Sequence, residues 1–464
     1  MTRPRGRWSA RLPGVAAGLL ARAAADSPAG SRRDRLAAQL ADALYRIGDR
    51  PQAEQVASQA LAQATDPDAI VDLHWTLAQC RMLAGSSSRS LAELDQALAV
   101  PGISAGHRAR LMVLAARTYC DLGETTRAGQ VAASALAAAT EAGDSWAMAW
   151  ALHVLTLVTA VQGRLASALP LFGRALAVAK SDPALTDLRL LLQINQAVTL
   201  ANLDRYDEAL ALARRARQLA SQVGTAIRHT QAHCAVGQML FETGRWDDAL
   251  SEVATLDQDL KEPGAACCDL GIAAVISFHR GQAAAARTHL SAAVPHARLI
   301  GHRIIGPLAL ARSLDREQDG ALPEALAVLT DVLGGDTEEL QEVQDLLADA
   351  VRLAVATGDL ITGRVLMHQV TALAAGSGIP HREADALYCR GLLDHDASRL
   401  LAAAERYTAA SRPLQRARAL EAAARESAHA ARRDQARSAF AGALEVYTAL
   451  GATADLARLR ATPR

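Results

Sequence analysis

The sequence predicts an all-α protein, an α-solenoid of about eleven stacked helical hairpins wound into a right-handed superhelix. Three observations predict it: small residues recurring at a long fixed period, a composition of helix formers, and glycine or proline at the joints. Nine anchors, Gly48, Gly85, Gly123, Gly163, Asp204, Gly244, Gly281, Gly320 and Gly358, step along the chain every 37 to 41 residues. Five positions after the anchors stand Ala53, Ser90, Ala128, Ala168, Ala209, Ala249, Ala286, Ala325 and Gly363. Twelve positions after, Ala60, Ala97, Ala135, Ala175, Ala216 and Ala293 form a second column, and seven before, Ala41, Ala78, Ala116, Thr156, Ala197, Gly237, Ala274 and Ser313 form a third, broken by Val351. Units of this length cannot bury their own apolar faces, so each must stack on its neighbours.

Half of the 464 residues are hydrophobic but only 3% are aromatic, so alanine and leucine carry the packing. Both favour helix, and strand-like runs of β-branched and aromatic residues are absent. The chain has 49 basic and 49 acidic residues, which gives no global field for nucleic acid or an anionic membrane. Lys180 and Lys261 are the only lysines. The cysteines at 80, 120, 234, 267, 268 and 389 lack the spacing of a disulfide framework and read as reduced thiols, which points to the cytoplasm. No stretch reaches the roughly 20 apolar residues of a membrane span.

Taken in order, Arg3, Arg5, Arg7 and Arg11 precede the apolar run Leu12 to Ala21, which superficially resembles a secretory signal. Arg22 breaks the run, so Val15 to Ala25 reads as a leading helix with a turn over Asp26 to Ser31. Each later unit reads as two helices; in the fourth, Trp146 to Val161 is helix A and Leu165 to Ala179 is helix B, joined at Gly163. The anchors sit where a helix end needs a left-handed residue. Pro51 and Pro323 open helices B, and Pro170 falls inside one and should bend it. Asp66-Pro67, Asp144-Ser145, Asp182-Pro183, Glu262-Pro263 and Thr337 before Glu338 and Glu339 are helix starts. After Gly358 the pattern loosens, with helices over Arg382 to Leu393, Ala397 to Ala410, Leu414 to Ala431, Gln435 to Leu450 and Ala454 to Ala461. The organisation expected is 1–30 leading helix and turn, 31–380 repeats, and 381–464 a continuation with a terminal helix.

Motifs of catalysis are missing. Lys180-Ser181 cannot complete a P-loop, because Arg174 and Ala179 replace its glycines, and there is no nucleophile elbow, His-Glu-x-x-His or dinucleotide glycine set. His229 and His233 stand four apart beside Cys234, but a metal wants three or four ligands, so they read as ordinary groove side chains. Cys267-Cys268 reads as buried packing. The arginines at 412, 416, 418, 425, 432, 433 and 437 alternate with Glu405, Glu421, Glu426 and Asp434 and read as a solvated helical face. The chain is expected to be no enzyme, with no catalytic residue, cofactor or metal.

The inner surface of the superhelix is the place for a site. In register with the anchors, helices A turn inward Arg35, Asp42, Tyr45, Asp72, Trp75, Gln79, Arg110, Arg117, Asp121, Trp150, His153, Asn202, Gln231, Gln238, Phe241, Glu242 and His279. The binding candidates are Trp75, Gln79, Arg110, Arg117, Trp150, His153, Gln231 and Gln238. Tryptophans beside polar groups suit a peptide or small polar ligand; they equally suit the filling of gaps between repeats.

The three small-residue columns resemble those of the tetratricopeptide repeat, although the units are longer and the expected aromatic is replaced by Ala37, His74, Met112 or Leu152. The runs Glu242 to Leu250, Trp150 to Leu155, Asp187 to Leu192, Arg412 to Glu421 and Ala443 to Ala452 resemble the helical sensor arm of large ATP-binding LuxR-type regulators, of the maltose-activator kind. Such regulators join an ATPase switch, this arm and a helix-turn-helix domain. The resemblance implies only the arm, as a fragment, a split product or a free-standing relative. The function expected is a protein- or inducer-binding module of a bacterial transcriptional regulator, binding in the concave groove, with no direct nucleic-acid or membrane contact and homo-oligomerisation left open. The alternative is a stand-alone adaptor or chaperone-like scaffold for peptide segments, unrelated to transcription.

Overall fold

The computed structural model describes residues 11–84, 88–99, 103–180, 182–223, 225–258, 261–300, 305–334 and 341–461. The anchor Gly85, the start signal Thr337 with Glu338 and Glu339, and Arg3, Arg5 and Arg7 lie outside the described residues. A leading helix, α1 (Arg11–Asp26), is followed by paired helices throughout. The first five pairs are α2 (Ser31–Ile47) with α3 (Arg50–Leu61), α4 (Pro67–Leu83) with α5 (Ser88–Leu98), α6 (Ala105–Asp121) with α7 (Thr125–Ala142), α8 (Ser145–Val161) with α9 (Leu165–Lys180), and α10 (Thr186–Ala201) with α11 (Tyr206–Val223). Then come α12 (Ala226–Glu242) with α13 (Trp246–Thr255), α14 (Pro263–His279) with α15 (Ala283–Leu299), and α16 (Gly306–Gln318) with α17 (Leu322–Leu333). A single turn, α18 (Gln341–Gln344), leads into α19 (Leu347–Thr357) with α20 (Leu360–Ala374), α21 (Pro380–Leu393) with α22 (Ala397–Ala409), and α23 (Pro413–His429) with α24 (Arg433–Leu450). The short α25 (Thr453–Ala461) ends the series, and no strand occurs among the described residues.

The small-residue columns are the contact lines between helices. Ala53, Ala128, Ala168, Ala209, Ala249, Ala286 and Ala325 expose no surface, nor do Ala41, Ala116, Thr156, Ala197 and Ala274. Where the column has serine, Ser313 donates from Oγ to the Ala325 carbonyl at 2.8 Å, tying one column to the other. The start signals act as caps: Asp66, Asp144 and Glu262 accept from the backbone N–H groups of Ala69, Ala147 and Ala265.

Anchors take the left-handed conformation, from Gly48 at φ 91° to Asp204 at 59°. Two more close the later hairpins, His395 at 54° and Ala431 at 58°, and neither is glycine, which is why the pattern looked looser there. A Cβ in this region is strained by about 1–2 kcal/mol. Ala431→Gly should therefore raise stability by about 0.5–1 kcal/mol after the extra unfolded-chain entropy is subtracted, read as a higher urea midpoint.

Contacts also cross between turns of the superhelix, and several join a hairpin to the fifth one after it. Helix α2 of the first hairpin meets α12 of the sixth, where Ile227 packs with Leu44, Tyr45 and Cys80. Asp204 at the fifth hairpin's joint accepts from the backbone N–H and Nδ1 of His381 in the tenth, both at 2.9 Å. Gly244 of the sixth lies against Pro413 and Leu450 of the eleventh. His279 of the seventh pairs with Asp455 of α25 at 2.7 Å, so α25 stands where helix A of a twelfth hairpin would begin. Wrapping on both sides leaves α14 buried along its whole length, Cys267 and Cys268 included. No helix among the described residues is long and apolar enough to cross a membrane.

Candidate functional site

Helices A of the first turn bring their inward side chains into one buried cluster. The Trp75 ring lies 4.4 Å from Trp146 and 4.5 Å from Trp150. The Arg117 guanidinium lies against two of these indoles, 5.0 Å from Trp75 and 4.6 Å from Trp150. Such stacking suits the weakly hydrated, planar guanidinium. Tyr45 Oη donates to Gln79 Oε1 at 3.2 Å, and burial pushes the Tyr45 hydroxyl up to about 12. Asn195 Nδ2 lies 3.1 Å from His153 Nε2, which fixes that nitrogen as the acceptor and puts the proton on Nδ1. Burial, with Arg117 and Arg228 nearby, pushes the His153 pKa well down, so its ring stays neutral. Arg117 Nη1 and His153 Nδ1 are buried without hydrogen-bond partners.

The sequence candidates divide by place. Trp75, Gln79, Arg117, Trp150 and His153 share this cluster, each less than a tenth exposed, so the first-turn surface is a filled lining rather than an open trough. Gln231 joins it through Arg228, whose Nη1 donates to Gln231 Oε1 at 2.9 Å. Arg110 lies at its edge, 5.1 Å over Trp146 and bonded to Asp144 Oδ2 at 2.8 Å. Gln238 belongs elsewhere, donating to Glu242 at 3.0 Å. Trp146, Asn195, Asp187 and Arg228 join the first-turn lining in addition to the positions that the helix A register turns inward. Trp146 was legible in its four-residue spacing from Trp150, and Asp187 with Arg228 in a separation of one repeat.

The His229 and His233 rings meet edge to face with centroids 4.7 Å apart, and burial lowers His229 to about 4, with His233 adding to the effect. His233 Nδ1 is taken up by Glu252 Oε2 at 2.7 Å, and Glu252 also binds Arg217. Among the described residues no group of three or more His, Cys, Asp or Glu is placed to hold a metal.

A second lining forms where the two turns meet. Arg412 is buried with Asp204, Glu242 and Asp345 each 3.8 Å away. Arg418 donates to Asp349 Oδ1 at 2.8 Å. These two arginines therefore depart from the solvated face expected of the C-terminal basic run: the seam between turns covers them, whereas Arg425, Arg432 and Arg433 are exposed. A narrow cleft of about 30 Å³ opens here between Asp345, His381, Asp385, Tyr407, Arg412 and Gln415. Desolvation there raises Asp385 to about 6 although Tyr407 Oη donates to it.

That shift gives a pH prediction. A carboxyl whose folded pKa lies above its unfolded value stabilises fully below the unfolded pKa, near about 3.9, and less as pH rises through the folded one. Asp385→Asn keeps an acceptor for Tyr407 and removes the titration. Its melting temperature relative to the parent should climb between pH 4 and 6.5; a constant difference would overturn the assignment.

The chain is similar in structure to a Rap protein crystallised with competence and sporulation factor, at 11% identity and TM-score 0.45, covering 84% of this chain and 99% of that one. It is similar to aspartyl phosphate phosphatase F of Bacillus subtilis, at 13% identity and TM-score 0.46, covering 76% and 97%. A Signal Transduction ATPase with Numerous Domains from Pyrococcus horikoshii, which carries a tetratricopeptide repeat sensor, matches at 9% identity and TM-score 0.39, over 76% of this chain and 50% of that one. No family model matches the chain, and no curated protein sequence does.

Proposed function

We propose that this chain is a non-enzymatic interaction and sensing module that receives a protein partner or small inducer against its first-turn lining, in a bacterial transcription-regulatory setting. The observation that carries the reading is Arg117, packed against two indoles with a buried Nη1 that has no partner, beside His153 Nδ1 in the same condition. An unpaired buried donor costs about 1–3 kcal/mol, a cost that an incoming carbonyl or carboxylate would remove. The surrounding tryptophans supply the rigid aromatic area that recognition sites favour. The regulatory setting rests on the resemblance of the repeats to the LuxR-type sensor arm, and ATPase or helix-turn-helix reading frames beside the gene would support it.

A thermal-shift screen of metabolites and peptides tests the reading, followed by tryptophan fluorescence on the hits. A true ligand should raise the melting temperature, change the emission of the Trp75, Trp146 and Trp150 cluster saturably, and lose about tenfold or more in affinity with Trp150→Ala. A ligand seated on the outer helix B face would sink it.

A further inference from the structure

We infer that the cleft between the two turns binds a primary ammonium group, carried by a small amine or by the free amino terminus of a peptide. The acceptors come first. His381 Nδ1 faces the Asp204 carboxylate at 2.9 Å, so in the singly protonated ring the proton sits there and Nε2 is a lone pair turned to the cleft, with Asp345 Oδ1 4.0 Å away. That Nε2 is buried and has no hydrogen-bond partner, and Gln415 Oε1 beside it has none either. The Asp345 and Asp385 carboxylates line the same space. An ammonium offers three N–H donors and no acceptor, the complement of such a set.

Charge selects the same sign. Asp345, Asp349 and Asp385 line the cleft against the guanidiniums of Arg412 and Arg418, with Asp204, Glu242 and Glu317 behind the arginines they pair with. Arg418 and Arg352 are engaged by Asp349 and Glu317, and Arg412 is ringed by three carboxylates, so an anion entering here meets more carboxylate than guanidinium. The Tyr388 and Tyr407 rings, 6.4 Å apart, add π-faces that also prefer a cation. Arg412 Nε and Nη2, with no partner within hydrogen-bond distance, stand 3.8 Å from Asp204 and Glu242, a separation that suits bridging water. The cleft is built on hairpins nine to eleven, and Arg412 in its wall meets Asp204 and Glu242 of hairpins five and six.

Calorimetric titration of the full chain, at constant ionic strength in sodium buffer, tests this with ethylammonium chloride, trialanine amide and N-acetyl-trialanine amide. The free amines should bind and the acetylated peptide should not. Binding of both free amines makes a small amine sufficient; binding of trialanine amide alone assigns a peptide terminus. Gln415→Leu and Asp345→Asn should each weaken binding about tenfold. Asp345 is partly exposed, so its variant keeps the test valid if circular dichroism shows Gln415→Leu misfolded. Equal binding of the acetylated peptide overturns the inference, as does no binding of either amine at about 10 mM. So does affinity untouched by the folded variants, or displacement by an equal concentration of potassium chloride. The inference does not rest on the first-turn reading, which Trp150→Ala scores separately.

Discussion

Gly271→Ala should cost about 3 kcal/mol or more, the largest loss expected from adding one methyl group to this protein. Gly271 lies mid-way along the fully buried α14, where α16 crosses closely. A Cβ there would stand 2.5 Å from Leu308 N, 2.7 Å from the Pro307 carbonyl carbon and 2.9 Å from Leu308 Cα. All three are backbone atoms, so no rotamer change relieves the clash; the helices must separate and open space along α14. Close-packed interiors tolerate that poorly. Gly173 in α9 provides the contrast, because nothing lies within 4 Å of its added Cβ. Gly173→Ala should be neutral or stabilise by up to about 1 kcal/mol through helix propensity. Urea denaturation of the two variants checks the pair, and similar midpoints would contradict the close approach.

Asp187→Ala should cost about 3–5 kcal/mol, because it strands a permanent cation in the interior. Arg228 is 1% exposed, and its Nη2 donates to Asp187 Oδ2 at 2.8 Å while Nε bonds both carboxylate oxygens at 3.2 Å. Burial alone would raise the Asp187 pKa, yet Arg228 outweighs it and holds the carboxyl below its ordinary value. The stability this supplies is present above the ordinary aspartate range and is lost as pH falls through the depressed folded value. An arginine cannot shed its proton to escape, so Gln231 and Tyr45 would be its remaining neighbours. Combining Asp187→Ala with Arg228→Met should recover most of the loss, since the pair removed together leaves no bare charge. A double variant no better than the single one would show that packing, not charge, governs the site.

The repeat was legible because close helix contact restricts certain positions to small side chains, and alanines such as Ala128, Ala168 and Ala209 record that restriction directly. Helix A register then placed Trp75, Arg117, Trp150 and His153 on one inner surface, which the fold brings together. The joints at His395 and Ala431 were illegible, since their left-handed backbone is imposed by surrounding structure on residues that do not favour it. The cleft was missed for a related reason. Asp204 and His381 are 177 residues apart, and no local periodicity encodes a meeting at that distance. Within a basic run that reads as solvated, Arg412 and Arg418 alone are shown drawn into the seam, while Arg425, Arg432 and Arg433 stay exposed.

The five-hairpin step between those meeting points makes the molecule unlike a string of independent beads. In an open repeat array, stability is a sum over neighbours, and units can fray, melt or be duplicated one at a time. Here each unit near the seam also answers to a partner a full turn away, as Asp204 does to His381 and His279 to Asp455. Removing or duplicating one hairpin between them would offset every such pair by a unit, presenting the wrong joint to the wrong helix. Only a change of a whole turn would keep such pairs in register.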